Sequence, residues 1–194
     1  MGRQRRVIDR EAIYHAGSRG SNRGPIAWDG QDFDSLLGEI GRAATRHSWS
    51  VLAWCLIPNH YHLVLRTPRG GFSEGFKQIN GNHSRRTNRR HERDAHLFKN
   101  RPWAFELATP AHLIGALAYV FRNPIEAGLA PSPEEWPWSS YRATVGLERA
   151  PAWLALDEIR PLFGTSINEV RASLSSLVLR GRLPVSDTGF VSGG

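Results

Sequence analysis

Apolar positions along this chain alternate between helical and strand spacing in a regular order. Phe33, Leu36, Leu37, Ile40 and Ala44 recur at intervals of three and four, which predicts an amphipathic helix over residues 32–47. Phe72, Phe76, Ile79, His83 and Thr87 form a second such stripe and predict a helix over residues 72–90. Between the two, residues 49–56 and 60–67 are strand-like runs joined by Ile57-Pro58-Asn59, the signature of an antiparallel hairpin. Shorter strands are expected over residues 12–19 and 103–107. The apolar run from Pro110 predicts a third helix that stops at Arg122, because Pro124 lacks a backbone donor and biases Asn123 away from helical geometry.

The order β-α-β-β-α-β-α specifies the α+β class, as a ferredoxin-like (RRM-like) antiparallel sheet with helices on one face. Beyond Gly146 the pattern changes to two short helices, over residues 156–163 and 167–179, followed by a Gly/Ser/Pro-containing tail over residues 180–194. The expected organisation is one domain over residues 1–146 and a helical C-terminal extension over residues 147–194, whose apolar face must be buried somewhere.

Composition narrows the partner. The formal net charge is +7, and arginine carries nearly all the positive charge, since Lys77 and Lys99 are the only lysines. Guanidinium groups grip phosphate bidentately and stack on exposed bases, so the charge favours a polyanion, although arginine-rich coding gives the same bias. Arg19 and Arg23 flank a Gly/Asn turn, and Arg85, Arg86, Arg89 and Arg90 crowd the end of the second helix. Arg101 precedes the last strand. Cys55 is the only cysteine, which excludes an intrachain disulfide and a cysteine-based zinc cluster. No run approaches the length needed to span a bilayer, and the chain reads as a cytoplasmic protein without membrane partners.

The candidate chemistry lies in two places. His60 and His62 are two residues apart on a strand and leave the same face, close enough to share one cation. Tyr119 and Asn123 are four apart on a helix and also share a face. On these residues alone, a His-x-His pair is more often a structural or surface feature, and a tyrosine on an apolar helix is usually core.

Three ordered blocks change the reading. Trp54-Cys55-Leu56-Ile57-Pro58-Asn59-His60-Tyr61-His62 resembles the His-hydrophobic-His motif of the single-tyrosine HUH transposases, in particular the REP-associated tyrosine transposases. Tyr119-Val120-Phe121-Arg122-Asn123-Pro124 resembles their tyrosine helix, and Trp136-Pro137-Trp138-Ser139-Ser140-Tyr141 a recurrent element downstream. The resemblance implies Tyr119 as the nucleophile, with His60, His62 and Asn123 holding a divalent metal, Mg2+ or Mn2+. It implies that single-stranded DNA is nicked and rejoined near hairpins through a 5′-phosphotyrosine, with single-stranded or hairpin DNA as partner and the protein as monomer or homodimer. It also makes backbone contacts the expected role of Arg19, Arg23, Arg85, Arg86, Arg89, Arg90 and Arg101. A domesticated module that binds hairpins without cutting is the alternative.

Overall fold

The computed structural model describes residues 8–99 and 101–180. Its centre is a four-stranded antiparallel sheet of β1 (Ile13–Arg19), β2 (Ser50–Ile57), β3 (His60–Arg66) and β4 (Trp103–Glu106), in the order β2-β3-β1-β4. With α1 (Gly30–His47) between β1 and β2 and α2 (Phe72–Arg90) between β3 and β4, this is the ferredoxin-like connection expected from the sequence.

Alternation on β3 separates two environments. Tyr61, Leu63 and Leu65 face the layer of α1 and α2, where Tyr61 stacks on Phe76 and donates its hydroxyl hydrogen to Asn80 Oδ1 at 2.8 Å. The helical stripes read from sequence form this layer: Phe33, Leu36, Ile40, Phe72, Phe76 and Ile79 are all buried. His83 belongs to it as well, with no exposed surface and its Nε2 2.7 Å from the carbonyl oxygen of Ile26.

The third helix, α3 (Pro110–Glu126), packs on β2 and β3 from the opposite side, since Tyr119 meets the rings of His15 and His62 there. Two helices therefore share one face and the tyrosine helix takes the other. α3 also runs through Pro124, where the sequence predicted a stop. A proline this close to a C-terminus forfeits only the hydrogen bond to the carbonyl four residues back, and the turn is retained by Arg122 Nε donating to Glu126 at 3.0 Å and by the Ala127 N–H on the Asn123 carbonyl at 3.0 Å. Asn123 is consequently helical.

The rest of the chain seals the β2 edge and backs α3. Residues 136–140 run beside β2: Leu56 N donates to the Trp138 carbonyl, Ser140 N to the Trp54 carbonyl, and the Trp136 indole to the Leu56 carbonyl at 2.8 Å. α4 (Tyr141–Thr144), α5 (Leu156–Ile159) and α6 (Ile167–Leu179) follow. Leu154, Ile159, Val170, Leu174 and Val178 are buried in the same apolar cluster as the sheet, and α6 packs against α3. Arg66 pairs with Glu158 at 2.5 Å across this junction. The expected loose tail lies, beyond Arg180, outside the described residues. Among the described residues no helix is long and apolar enough to cross a membrane.

Candidate active site

Register places the polar residues of three strands on the face under α3. His62 stands opposite Gly17 on β1 and Cys55 on β2; His60 stands opposite Arg19 and Ile57. The rings of His60 and His62 have centroids 4.7 Å apart, so the two imidazoles predicted to share a face do so. Tyr119 comes down on them from α3 with its ring centroid 5.3 Å from that of His62. Asn123, one turn later, is 5% exposed, and its side chain hydrogen-bonds the Tyr119 phenol.

The hydrogen bonds of the imidazoles fix which nitrogens remain available. Nδ1 of His60 donates to Asn59 Oδ1 at 2.7 Å. Nδ1 of His62 shares a hydrogen bond with Nε2 of His15 at 2.9 Å. The Nε2 atoms of both residues, and Oδ1 of Asn123, are buried without a hydrogen-bond partner. A buried polar atom left unsatisfied is costly, and three such atoms from the two histidines and the helix amide are what a cation site presents before it is filled. Among the described residues no cluster of three His, Cys, Asp or Glu side chains is arranged to hold a metal.

Electrostatics keeps the imidazoles neutral. Burial lowers His60 to about 4, helped by the positive charge of Arg19. Burial lowers His15 to about 3, with repulsion from His60 adding to it, and holds His62 well below its ordinary value. Neutral imidazole is the form that ligates. Tyr119 is pushed above its ordinary value by burial and by the charge of Glu126, while Arg19 and the Asn123 hydrogen bond pull the other way. Its resting form is the neutral phenol. Cys55, on the same face, is fully buried with its thiol pushed up by desolvation, which makes it a packing residue.

Sequence reading missed His15 and Trp103. His15 is fully buried and meets the rings of His62 and Tyr119. Trp103 reaches across Gly17 to within 4.7 Å of the His15 ring and 5.3 Å of the His62 ring, centroid to centroid. A Cβ at Gly17 would lie 2.1 Å from the Tyr61 carbonyl oxygen and 2.6 Å from the indole, so the close approach of the β3 backbone requires glycine here and the indole lies over the space it leaves. A lone histidine on one strand and a tryptophan on another carry no local signal; the pairing register alone joins them.

The arginines divide between two layers. Arg19 stands beside the imidazoles. Arg85, Arg86 and Arg89 are exposed on α2, on the opposite layer, where Arg86 borders a cleft with Asp34 and Arg42 of α1. Arg90 is held by Asp29 at 2.5 Å and Asp32 at 2.7 Å, at the N-terminus of α1. Arg23 and Arg101 are exposed, Arg23 in the turn after β1 with a positive φ of 57°.

The fold and face define a class: a ferredoxin-like sheet carrying paired, neutral histidines under a helix that presents a tyrosine. The model of the transposase IS200-like family matches residues 11–108, half of the chain, and the chain belongs to that family. The match covers β1 to β4 and ends just before α3. A REP-associated tyrosine transposase of Haemophilus influenzae is 22% identical over 116 residues, spanning 54% of this chain and 66% of that protein. Among solved structures, a REP-associated tyrosine transposase bound to a REP hairpin superposes with a TM-score of 0.64 at 18% identity, covering 78% of this chain and 89% of that one.

Proposed function

We propose that this protein nicks and rejoins single-stranded DNA beside REP-type hairpins, using Tyr119 as nucleophile. The observation that carries the reading is the Tyr119 ring seated on His62, next to three buried ligand atoms that lack partners. Family membership and the hairpin-bound relative support this substrate class.

In this mechanism the Tyr119 hydroxyl oxygen attacks a backbone phosphorus. The bond from phosphorus to the 3′ oxygen breaks, the phenolic proton passes in net terms to that oxygen, and a 5′-phosphotyrosine and a free 3′-hydroxyl result. A second 3′-hydroxyl reverses the step. The linkage retains the energy of the broken ester, so no nucleotide cofactor is required. His60 and His62, through Nε2, and Asn123, through Oδ1, would hold a divalent ion, Mg2+ or Mn2+; when bound it polarises a non-bridging phosphate oxygen and offsets charge in the transition state. With Nε2 committed, Nδ1 of His62 keeps its proton and donates it to His15, so His15 orients the ring from behind. Asn123 holds the phenol by hydrogen bond, and Arg19 adds positive charge beside it.

The test is a denaturing gel for a covalent protein–DNA adduct, formed on hairpin oligonucleotides with single-stranded flanks in the presence of Mn2+. The expected result is an adduct that requires both metal and Tyr119. Tight hairpin binding with no adduct would instead identify a non-cutting binding module.

A further inference from the structure

Trp103 is part of a longer aromatic line. Phe105, two residues on in β4, lies on the same sheet face, opposite His15 in the register, with its ring centroid 5.8 Å from that of Trp103. Tyr119, His15, Trp103 and Phe105 thus form one series of ring contacts, each 4.7 to 5.8 Å from the next. The series runs from half-buried Tyr119 through fully buried His15 to an exposed end: Trp103 is half-buried and Phe105 is 45% exposed. β4 is the last strand of the sheet, so the line opens outward at an edge.

A single exposed phenylalanine needs no explanation. This one continues a row of rings that leads into the site, over the space left at Gly17. Exposed Arg101 precedes the strand by two residues, and exposed Glu106 follows Phe105 at its end. An aromatic surface open at a sheet edge is the chemistry that receives a splayed nucleobase.

We propose that the Trp103–Phe105 edge is a stacking site for one unpaired nucleobase of the DNA strand whose phosphate lies at Tyr119, with Phe105 as the outer contact. The inference rests on the DNA-cleaving reading above and adds a base-binding subsite to it. The subsite holds the strand by a π-face that every base possesses. It therefore fixes the distance from the hairpin to the cut more than it reads sequence.

The experiment measures affinity for a hairpin with a single-stranded flank, in which each flank base is replaced in turn by an abasic site. Phe105→Ala should weaken binding of the intact oligonucleotide roughly 5- to 150-fold, the span of one base–aromatic stack. At one flank position the abasic change should weaken the wild type but leave Phe105→Ala unaffected, a non-additive pair. Phe105→Tyr should bind like wild type and Phe105→Leu like Phe105→Ala. The proposal is overturned if Phe105→Leu binds as wild type, or if the losses simply add at every position. It also falls if Phe105→Ala alters only self-association, which would make the edge an interface between copies of the chain. Adduct formation is scored separately: base coupling without any adduct leaves the stacking site standing and removes the cutting reading, while an adduct without coupling does the reverse. A protein that binds no oligonucleotide overturns both.

Discussion

The two faces of β3 carry the same kinds of side chain to opposite ends. Tyr61 points into the α1/α2 layer, where it has no exposed surface, its hydroxyl is spent on Asn80, and burial pushes its phenol far above the ordinary value. Tyr119 reaches the other face from α3, half-buried, with imidazole rings around it. Histidine divides the same way: His83 is satisfied by a backbone carbonyl within the helical layer, whereas His60 and His62 are tied by Nδ1 and left open at Nε2. Residue type does not make a site. The site is where tethering on one atom leaves the next one available.

The sharpest way to break this comparison is to remove each phenolic hydroxyl. Tyr119→Phe keeps the ring that packs on His62 and should abolish the covalent adduct while hairpin affinity stays within a few fold. Tyr61→Phe should leave the adduct intact and cost about 1 kcal/mol of folding stability from one buried hydrogen bond, read by urea denaturation. An adduct that survives in Tyr119→Phe and vanishes in Tyr61→Phe would invert the assignment of the faces.

The imidazoles come next. His60→Ala and His62→Ala should each weaken Mn2+ binding at least about tenfold by calorimetry, and leave the far-ultraviolet circular dichroism of the fold unchanged. His15→Ala should weaken Mn2+ binding about 10- to 100-fold through His62, with His15→Gln recovering part of the loss because an amide can still meet Nδ1. Equal Mn2+ affinity in His62→Ala and wild type would end the metal role on this face.

How much of this was legible follows from the range of each signal. The His60/His62 alternation and the Tyr119/Asn123 spacing are local periodicities, and the structure places both pairs as the spacing requires. The element order likewise sufficed for the sheet, because few topologies satisfy β-α-β-β-α-β. What escaped depends on register or on partners far along the chain. His15 and Trp103 join the site only through cross-strand pairing, 47 residues separating His15 from the ring it orients. Nothing near Arg90 in sequence announces Asp29 and Asp32, 61 and 58 residues away. Pro124 was misread as a stop because proline chemistry gives the cost of continuing a helix but not the side-chain pair that offsets it for one more turn.

Acid should act on the buried imidazoles as a loss of stability, His83 of the helical layer included. His15 and His60 fall to about 3 and about 4 in the folded protein, through burial first and neighbouring positive charge second. In the unfolded chain the same groups protonate near their ordinary value of about 6.5. Depressed folded values mean that the unfolded state takes up protons that the folded one refuses. Stability is therefore full above about pH 6.5 and drains as pH falls toward 4 and then 3, by at most about 1.4 kcal/mol per pH unit for each group. Urea midpoints measured across this window should fall less steeply in His60→Gln than in wild type. An unchanged slope would show that His60 does not contribute to the acid sensitivity.

The smallest effects separate the arginines. Arg86 and Arg89 are exposed on α2, while Arg90 is spent on Asp29 and on Asp32, a carboxylate only 3% exposed. If the exposed pair meets DNA phosphates, the double change Arg86→Ala, Arg89→Ala should weaken binding to all hairpin sequences alike. It should also lower the slope of log affinity against log salt by roughly 1.4 to 1.8, at about 0.7 to 0.9 per phosphate contact. Arg90→Ala should behave differently, lowering stability because the buried Asp32 loses a charged partner, with a change in salt slope smaller than one contact. A full unit of slope lost in Arg90→Ala would mean that DNA competes with Asp29 and Asp32 for this guanidinium, which would tie the N-terminus of α1 to substrate binding. An unchanged slope in the double variant would remove Arg86 and Arg89 from the phosphate contacts.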